Sequence, residues 1–266
     1  MPRITQIFNH LKTKGKKAFI PFITAGDSGL DNTFELMQTL VENGADVIEL
    51  GVPFSDPMAD GPVIAKSHER AVVDGVSLRD VLDLVAKFRQ TNDTTAIVLM
   101  GYLNPIEVFG YQAFAEEAGK SGVDGVLVVD MPPEEAHDLK KNLGNNDIDF
   151  IFLVAPTTTD ERLESLAKIA SGFVYFVSLK GVTGAGHLDV GAVKSNLVRI
   201  RQFIDLPVGV GFGIKDAATA KAVSESADAV IVGSALVAFI EKYSADKDKM
   251  VASVGALANE ISGAIK

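Results

Sequence analysis

Eight short apolar segments recur along this chain, and a helical pattern follows each of them. The segments cover residues 18–24, 47–50, 97–100, 126–129, 150–154, 173–177, 208–210 and 229–232. Regular alternation of strand and helix predicts a parallel sheet with right-handed crossover connections. A count of eight favours closure of that sheet into a (β/α)8 TIM barrel, the α/β fold in which eight strand–helix units form a ring.

The length and the ends of the chain agree with one such barrel. The chain has 266 residues, and roughly 250 are typical of this fold. No linker interrupts the pattern, so residues 1–266 are expected to form a single (β/α)8 barrel domain. An extra N-terminal helix over residues 2–13 is predicted to plug the bottom of the barrel, and an extra helix is expected after strand eight. A doubly wound sheet, the rival fold, would place its glycine-rich turn after strand one.

Composition excludes several classes of function. The net charge of −10 argues against a nucleic-acid partner, because phosphate backbones bind basic surfaces. Absence of cysteine removes disulfides and thiolate chemistry, and is typical of proteins from a reducing compartment. No apolar run approaches the roughly 20 residues of a membrane span, and no signal peptide is recognisable. These features predict a cytoplasmic protein without a membrane partner.

Residues 46–60 carry two carboxylates at the second strand and in the loop that follows it. Glu49 interrupts an otherwise apolar strand, and alternation places it on one face with Val47 and Gly51. If helices cover the outer face, Glu49 points into the barrel, where an isolated charge is costly. Asp60 ends a loop that two prolines keep from being helical. Together these carboxylates form a candidate acid/base pair.

Each carboxylate also has a purely structural interpretation. Glu49 can be a structural carboxylate that backbone donors satisfy. Asp60 can cap the helix that starts at Pro62. Their position favours the catalytic interpretation, because barrel active sites are assembled at the carboxyl ends of the strands.

Glycines crowd the loops after the last three strands. They are Gly181, Gly184 and Gly186 after strand six, Gly209, Gly211 and Gly213 along strand seven, and Gly233 after strand eight. Glycine lets backbone N–H groups approach an anion closely, and Ser234 stands at a helix N-terminus that favours phosphate. The alternative is that these glycines only make tight turns. Their clustering favours a phosphate site.

Aromatic and other apolar side chains at several strand ends suit a flat ligand. They are Phe22, Met100, Tyr102, Tyr175 and Phe212. The alternative is that each simply belongs to the core. The polar loop 180–189 has the composition of a mobile lid or of an ordinary surface loop, and Thr183 within it can donate a hydrogen bond to Asp60.

The four histidines have no partner at metal-ligand spacing, so no metal site is predicted. Most of them are expected on the surface. A single helix is predicted after Pro105, continuing through Lys120.

Long motifs give the chain a family resemblance. They are Glu-Leu-Gly-Val-Pro-Phe-Ser-Asp-Pro-Met-Ala-Asp-Gly-Pro at 49–62, Gly-Tyr-Leu-Asn-Pro at 101–105, Asp-Met-Pro at 130–132, Gly-Val-Thr-Gly at 181–184, Gly-Phe-Gly at 211–213 and Pro-Phe-Ile-Thr-Ala-Gly at 21–26. The chain resembles the alpha subunit of tryptophan synthase over its whole length. The family's reaction is the retro-aldol cleavage of indole-3-glycerol phosphate to indole and glyceraldehyde 3-phosphate.

The resemblance implies roles for individual residues. Glu49 would be the general acid/base that protonates the indole carbon being cleaved, and Asp60 would accept a hydrogen bond from the indole N–H. Phosphate would bind to the backbone of four residues, namely Gly184, Gly213, Gly233 and Ser234. The remaining substrate contacts would come from Phe22, Met100, Tyr102, Tyr175, Thr183 and Phe212.

The resemblance also implies a partner. No cofactor is expected in this chain. Pyridoxal phosphate would belong to a beta subunit that receives indole within an alpha2-beta2 complex. Loop 53–60, the segment around Asn104 and the segment around Pro132 would form the contact with that subunit.

Two other functions stay open at this point. The first is another phosphate-binding barrel enzyme, such as an aldolase or isomerase. A Schiff-base aldolase would need an inward lysine on a strand, and no predicted strand contains a lysine. A barrel that only activates a partner subunit is the other, although intact Glu49 and Asp60 argue against it.

Overall fold

Eight parallel strands close into a barrel in their order along the chain. A computed structural model describes residues 1–178, 189–211 and 213–266 of the protein. The strands are β1 (Ala18–Thr24), β2 (Val47–Gly51), β3 (Ala96–Gly101), β4 (Gly125–Val128), β5 (Asp149–Val154), β6 (Val174–Val177), β7 (Val208–Gly211) and β8 (Ala229–Val232). The predicted barrel is therefore confirmed.

Pairing between the first and last strands closes the ring. Ala18 lies opposite Ala229, and Pro21 lies opposite Val232. Almost every strand residue is buried, because the helices cover the outside and side chains fill the inside. This explains why most strands are short continuous apolar runs in the sequence.

Helices surround the barrel and precede or follow its strands. They are α1 (Arg3–Thr13), α2 (Leu30–Glu42), α3 (Pro62–Val73), α4 (Leu78–Arg89), α5 (Leu103–Phe109), α6 (Tyr111–Ser121), α7 (His137–Gly144), α8 (Asp160–Ala167), α9 (Val190–Ile200), α10 (Ala217–Ser224), α11 (Ser234–Lys242) and α12 (Lys247–Ile265), with a short 3-10 helix at Pro133–Glu135. As predicted, one helix precedes the first strand and an additional helix, α12, ends the chain.

Local signals set several helix boundaries. Pro62 begins α3, and Ser77 caps α4 through a capping box with Asp80. The single helix predicted from Pro105 to Lys120 is wrong. Gly110 has φ of 85°, a left-handed conformation that ends α5 and starts α6.

Two groups of buried side chains form the core. One lies between the strands and the surrounding helices. The other fills the barrel, and Ile4, Phe8 and Leu11 of α1 pack against it. The amphipathic stripe of α1 therefore covers one end of the barrel interior, as the sequence predicted. Within the described residues, no helix is long and apolar enough to cross a membrane.

Candidate active site

Glu49 lies at the middle of β2, opposite Phe22 of β1 and Val98 of β3. It is 1% exposed, and among the described residues neither Oε1 nor Oε2 has a hydrogen-bond partner. Within the described residues, backbone donors therefore do not satisfy this carboxyl. Burial, together with the charge of Asp60, raises the pKa of Glu49 to about 8. A pKa in this range keeps the carboxyl protonated at neutral pH.

Asp60 follows the loop after β2, and its side chain is buried. Its Oδ2 accepts a hydrogen bond of 2.7 Å from the hydroxyl of Tyr102. Burial raises the pKa of Asp60, and the hydrogen bond from Tyr102 opposes that rise. Asp60 does not cap α3, since the N-cap residue is Gly61 and no side-chain cap is present. The hydroxyl of Tyr102 therefore holds the carboxylate of Asp60 in the neighbourhood of Glu49.

Tyr102 stands between β3 and α5 and is 1% exposed. Besides donating to Asp60, its hydroxyl accepts a hydrogen bond of 3.1 Å from the backbone N–H of Ala59. Its ring stacks on that of Phe54 at 5.1 Å between centroids. The residue therefore fixes both ends of the loop 53–60.

His68 is a site residue that the sequence analysis missed. It is 2% exposed rather than on the surface, and its Nε2 lies 3.7 Å from Oδ2 of Asp60. Ser67, His68 and Ala71 are the buried residues of α3, at the spacing of one helical face. That spacing, read with Pro62 as the helix start, is the signal that could have identified His68.

Helix α3 contacts the end of β1, the turn after it and the loop after β2. Arg70 donates two hydrogen bonds to Asp27 in the turn after β1, at 2.7 and 3.0 Å. The hydroxyls of Ser67 and Thr24 are 2.6 Å apart. Together with those of His68, these contacts tie α3 both to the end of β1 and to the loop that carries Asp60.

Phe22 of β1 is in register with Glu49, and its side chain lies beside Gly51 of β2 and Gly233 after β8. A side-chain carbon on Gly51 would lie 2.7 Å from Cζ of Phe22, so the ring occupies the space that this glycine leaves open. A side-chain carbon on Gly233 would lie 3.4 Å from Cβ of the same residue. The phenyl ring is 3% exposed and forms an apolar wall beside the Glu49 carboxyl.

Tyr175 of β6 occupies the space beside another glycine. A side-chain carbon on Gly211 would lie 2.1 Å from its Oη, so only glycine fits there. Burial, then the charges of Glu49 and Asp60, raise the pKa of Tyr175. Its hydroxyl therefore stays protonated in the neighbourhood of the two carboxyls.

Met100 is half-buried near the end of β3, in register with Gly51. It packs on the side chains that fill the barrel. The structure thus brings together four of the six predicted substrate residues, namely Phe22, Met100, Tyr102 and Tyr175, at the carboxyl ends of the strands.

The start of α11 has the features expected of an anion site. Gly233 is its N-cap residue and Ser234 its first residue, and no side chain caps the helix. Gly213 has φ of 80°, a conformation that favours glycine. Three of the four predicted phosphate residues therefore follow β7 and β8, where barrels frequently bind phosphate.

Some predicted residues lie outside the part of the chain that the structure describes. Thr183 and Gly184 fall in residues 179–188, as does most of the predicted lid 180–189, and Phe212 is the other residue left out. Across the eight strands as described, no lysine occurs. A Schiff-base mechanism on a strand lysine is therefore unsupported.

Known proteins resemble the chain over its whole length. The sequence profile of the family described as tryptophan synthase alpha chain matches residues 8–266. A relative of that name from Ruthia magnifica subsp. Calyptogena magnifica is 74% identical over 266 residues, covering 100% of both chains. One from Neisseria meningitidis serogroup B is 53% identical over 266 residues, again covering 100% of both.

Solved structures agree with the sequence relatives. The crystal structure of tryptophan synthase subunit alpha from Legionella pneumophila str. Paris has a TM-score of 0.92 at 43% identity, covering 100% of this chain and 98% of its own. A chain of tryptophan synthase from M. tuberculosis has a TM-score of 0.88 at 33% identity, covering 100% of both chains. Because the profile spans nearly every residue and the relatives match from end to end, the chain belongs to the tryptophan synthase alpha chain family.

Proposed function

We propose that this site cleaves indole-3-glycerol phosphate to indole and glyceraldehyde 3-phosphate. The observation that carries the proposal is the Glu49 carboxyl, which is buried inside the barrel, unpartnered among the described residues and adjacent to a second carboxylate. Membership of the tryptophan synthase alpha chain family supports the same reaction. The reaction breaks a carbon–carbon bond, so the enzyme is a lyase.

Glu49 is the general acid/base in this proposal. The indole carbon is a poor leaving group until it is protonated, and burial raises the pKa of Glu49 to about 8, which keeps its proton available at neutral pH. The carboxylate that this leaves on Glu49 then accepts the proton of the glycerol hydroxyl, which lets the carbon–carbon bond break. The aldehyde leaves, and the bonding electrons return to the indole ring.

Asp60 acts through its charge. Protonation of the ring carbon places positive charge on the indole nitrogen, and a nearby carboxylate lowers the free energy of that species. Oδ2 of Asp60 is held by Tyr102, while in the described part of the chain Oδ1 has no hydrogen-bond partner. Oδ1 is therefore free to accept a hydrogen bond from the indole N–H.

The rest of the substrate has matching surfaces. Phe22, Met100 and Tyr175 supply apolar contacts for the flat ring, with Thr183 and Phe212 proposed to add to them from outside the described residues. The backbone of Gly213, Gly233 and Ser234 supplies N–H groups for the phosphate, joined in the proposal by Gly184.

Partner and cofactor follow from the family. An alpha chain of tryptophan synthase works with a beta subunit, to which it passes indole, and pyridoxal phosphate belongs to that subunit. We propose that loop 53–60, the segment around Asn104 in α5 and the segment around Pro132 form the contact in an alpha2-beta2 complex. We also propose that residues 1–266 form one domain and that the protein works in the cytoplasm, which the absence of cysteine supports.

The test is indole release from indole-3-glycerol phosphate by the isolated chain. Glu49→Gln should lower kcat by about 10²–10⁴ while a non-cleavable analogue still binds, since general acid/base catalysis is worth that much. Asp60→Asn should also lower kcat severely. Glu49→Asp should be slower than Asp60→Glu, because a strand cannot follow a shortened side chain as a loop can. Near-normal kcat in Glu49→Gln would refute the assignment.

A further inference from the structure

His68 is a buried side chain that the proposed mechanism does not use. Its two ring nitrogens contact opposite ends of the loop after β2. Nδ1 accepts a hydrogen bond of 3.2 Å from the backbone N–H of Phe54, and Nε2 lies 3.7 Å from Oδ2 of Asp60. The ring meets that of Tyr102 edge-on, at 6.4 Å between centroids. Every polar atom of the imidazole therefore faces the loop that carries Asp60.

The contact with Phe54 fixes the tautomer of the ring. A backbone N–H can only donate, so Nδ1 must present its lone pair, and a neutral imidazole then carries its proton on Nε2. Burial lowers the pKa of His68 to about 4, which keeps the ring neutral at physiological pH. The proton on Nε2 is on the side of the ring that faces Asp60.

We propose that His68 is a positioning residue for Asp60: its Nε2 lies 3.7 Å from the same Oδ2 that accepts the hydrogen bond of Tyr102. The inference rests on the proposed role of Asp60 in the cleavage reaction. With both neighbours on Oδ2, Oδ1 stays open for the indole N–H. The same imidazole ties the start of the loop, at Phe54, to the helix α3 that supports its end.

A neutral donor suits this task better than a cation. Lysine or arginine at this position would form an ion pair with Asp60 and cancel part of the negative charge that stabilises the protonated indole. A neutral imidazole orients the carboxylate and leaves its charge intact. The burial of the ring, at 2% exposure, therefore has a chemical consequence beyond packing.

The experiment compares substitutions that differ only in the polar atoms they retain. His68→Gln keeps an N–H donor near the position of Nε2, and His68→Leu fills similar volume without any polar atom. For indole-3-glycerol phosphate cleavage, we expect His68→Leu to lose about 10-fold or more in kcat with KM changed less than about 3-fold, because misplacing a catalytic group costs rate more than binding. His68→Gln should recover most of that loss.

A structural role alone would give a different result. Equal kcat in His68→Leu and the wild type, or equal losses in the leucine and glutamine variants, would overturn the proposal. Circular dichroism and urea unfolding of both variants show whether a loss of activity arises from misfolding. If His68→Leu is unfolded, the test is the kcat of His68→Gln relative to the wild type. A loss of kcat above about 10-fold in His68→Gln would then overturn the proposal.

A second measurement does not depend on activity. Nitrogen NMR of the wild-type chain labelled at histidine, with His68→Gln to assign the signal, should show a neutral Nε2–H tautomer that does not titrate between pH 5.5 and 8. Titration near the ordinary pKa of about 6.5 would overturn the proposal even in an active enzyme. Absence of cleavage by the wild type would instead refute the proposed function, and the NMR result would still decide how His68 meets Asp60.

Discussion

The hydroxyl of Tyr102 donates a hydrogen bond of 2.7 Å to Oδ2 of Asp60, and this contact opposes the effect of burial on that carboxyl. Removing the donor in Tyr102→Phe should raise the pKa of Asp60 further, since its anion loses stabilisation. We expect kcat/KM to fall about 10- to 100-fold, the range for a hydrogen bond to a charged group. The acid limb of the pH–rate profile should move to higher pH.

Tyr111→Phe is the matched control for that variant. Tyr111 donates to Glu107 on an exposed helix surface, so its loss should leave the pH–rate profile unchanged. An acid limb at the same pH in Tyr102→Phe and the wild type would contradict the role of this hydrogen bond.

Glu49 should make the stability of the protein depend on pH. Burial raises its pKa from 4.5 to about 8, so between these values the folded state holds a proton that the unfolded state releases. The free energy of unfolding should therefore fall as pH rises through this window, by about 1.4 kcal/mol per pH unit from this group. Glu49→Gln should lack that contribution, measured by urea unfolding at several pH values. Glu42→Gln, at an exposed position of α2, should retain it; equal slopes in all three proteins would contradict the prediction.

Gly213 should matter for phosphate more than for folding. Its φ of 80° makes any side chain strained, and Gly15, with φ of 65° at the end of α1, provides a control with the same strain. Gly213→Ala should raise KM for the phosphorylated substrate about 10-fold, a change that corresponds to about 1.4 kcal/mol of binding free energy. It should also weaken inhibition by inorganic phosphate. Gly15→Ala should leave both constants unchanged. Equal KM values in the two variants would show that Gly213 serves the backbone only.

Val108 tests the proposed contact with a beta subunit. Its side chain is 82% exposed on α5, and that of Met58 in loop 53–60 is 78% exposed. Val108→Asp should weaken association with a beta subunit about 10-fold or more, because buried interface positions reject charge. Val198→Asp, at a 57% exposed position on α9, should bind normally. Isothermal titration of both variants measures this, and equal affinities would exclude α5 from the interface.

Most of the fold could be predicted from the sequence because an apolar strand and a helix alternate regularly along the chain. Most strand positions are apolar on both faces, so all eight strands were recognisable. The limits of β1 and β8 and the start of α3 at Pro62 were correct to the residue. The placement of Glu49 on one face with Val47 and Gly51 also followed from strand alternation. Alternation is a property of the backbone, so it can be derived from the sequence without knowledge of any contact.

Contacts between distant segments could not be predicted in the same way. His68 was not identified as a site residue, because nothing in its immediate neighbours shows that α3 turns this face toward the loop at 53–60. Likewise, Gly110 looks like a tolerable helix residue until its positive φ is known. The hydrogen bond from Tyr102 to Asp60 joins two loops, and its geometry depends on how the strands between them are arranged.

Phe22 has a consequence for when the site can form during folding. Its ring fills the space beside Gly51 of β2 and also lies against Gly233, which follows β8. The wall beside Glu49 is therefore complete only after the first strand has paired with the last, Ala18 with Ala229. Such a contact between the two ends of a long chain forms late, because the entropy of closing the intervening loop opposes it. During synthesis, the carboxyl on β2 thus emerges from the ribosome well before the strand that completes its pocket, and catalytic competence arrives with the final strand rather than with the catalytic residue.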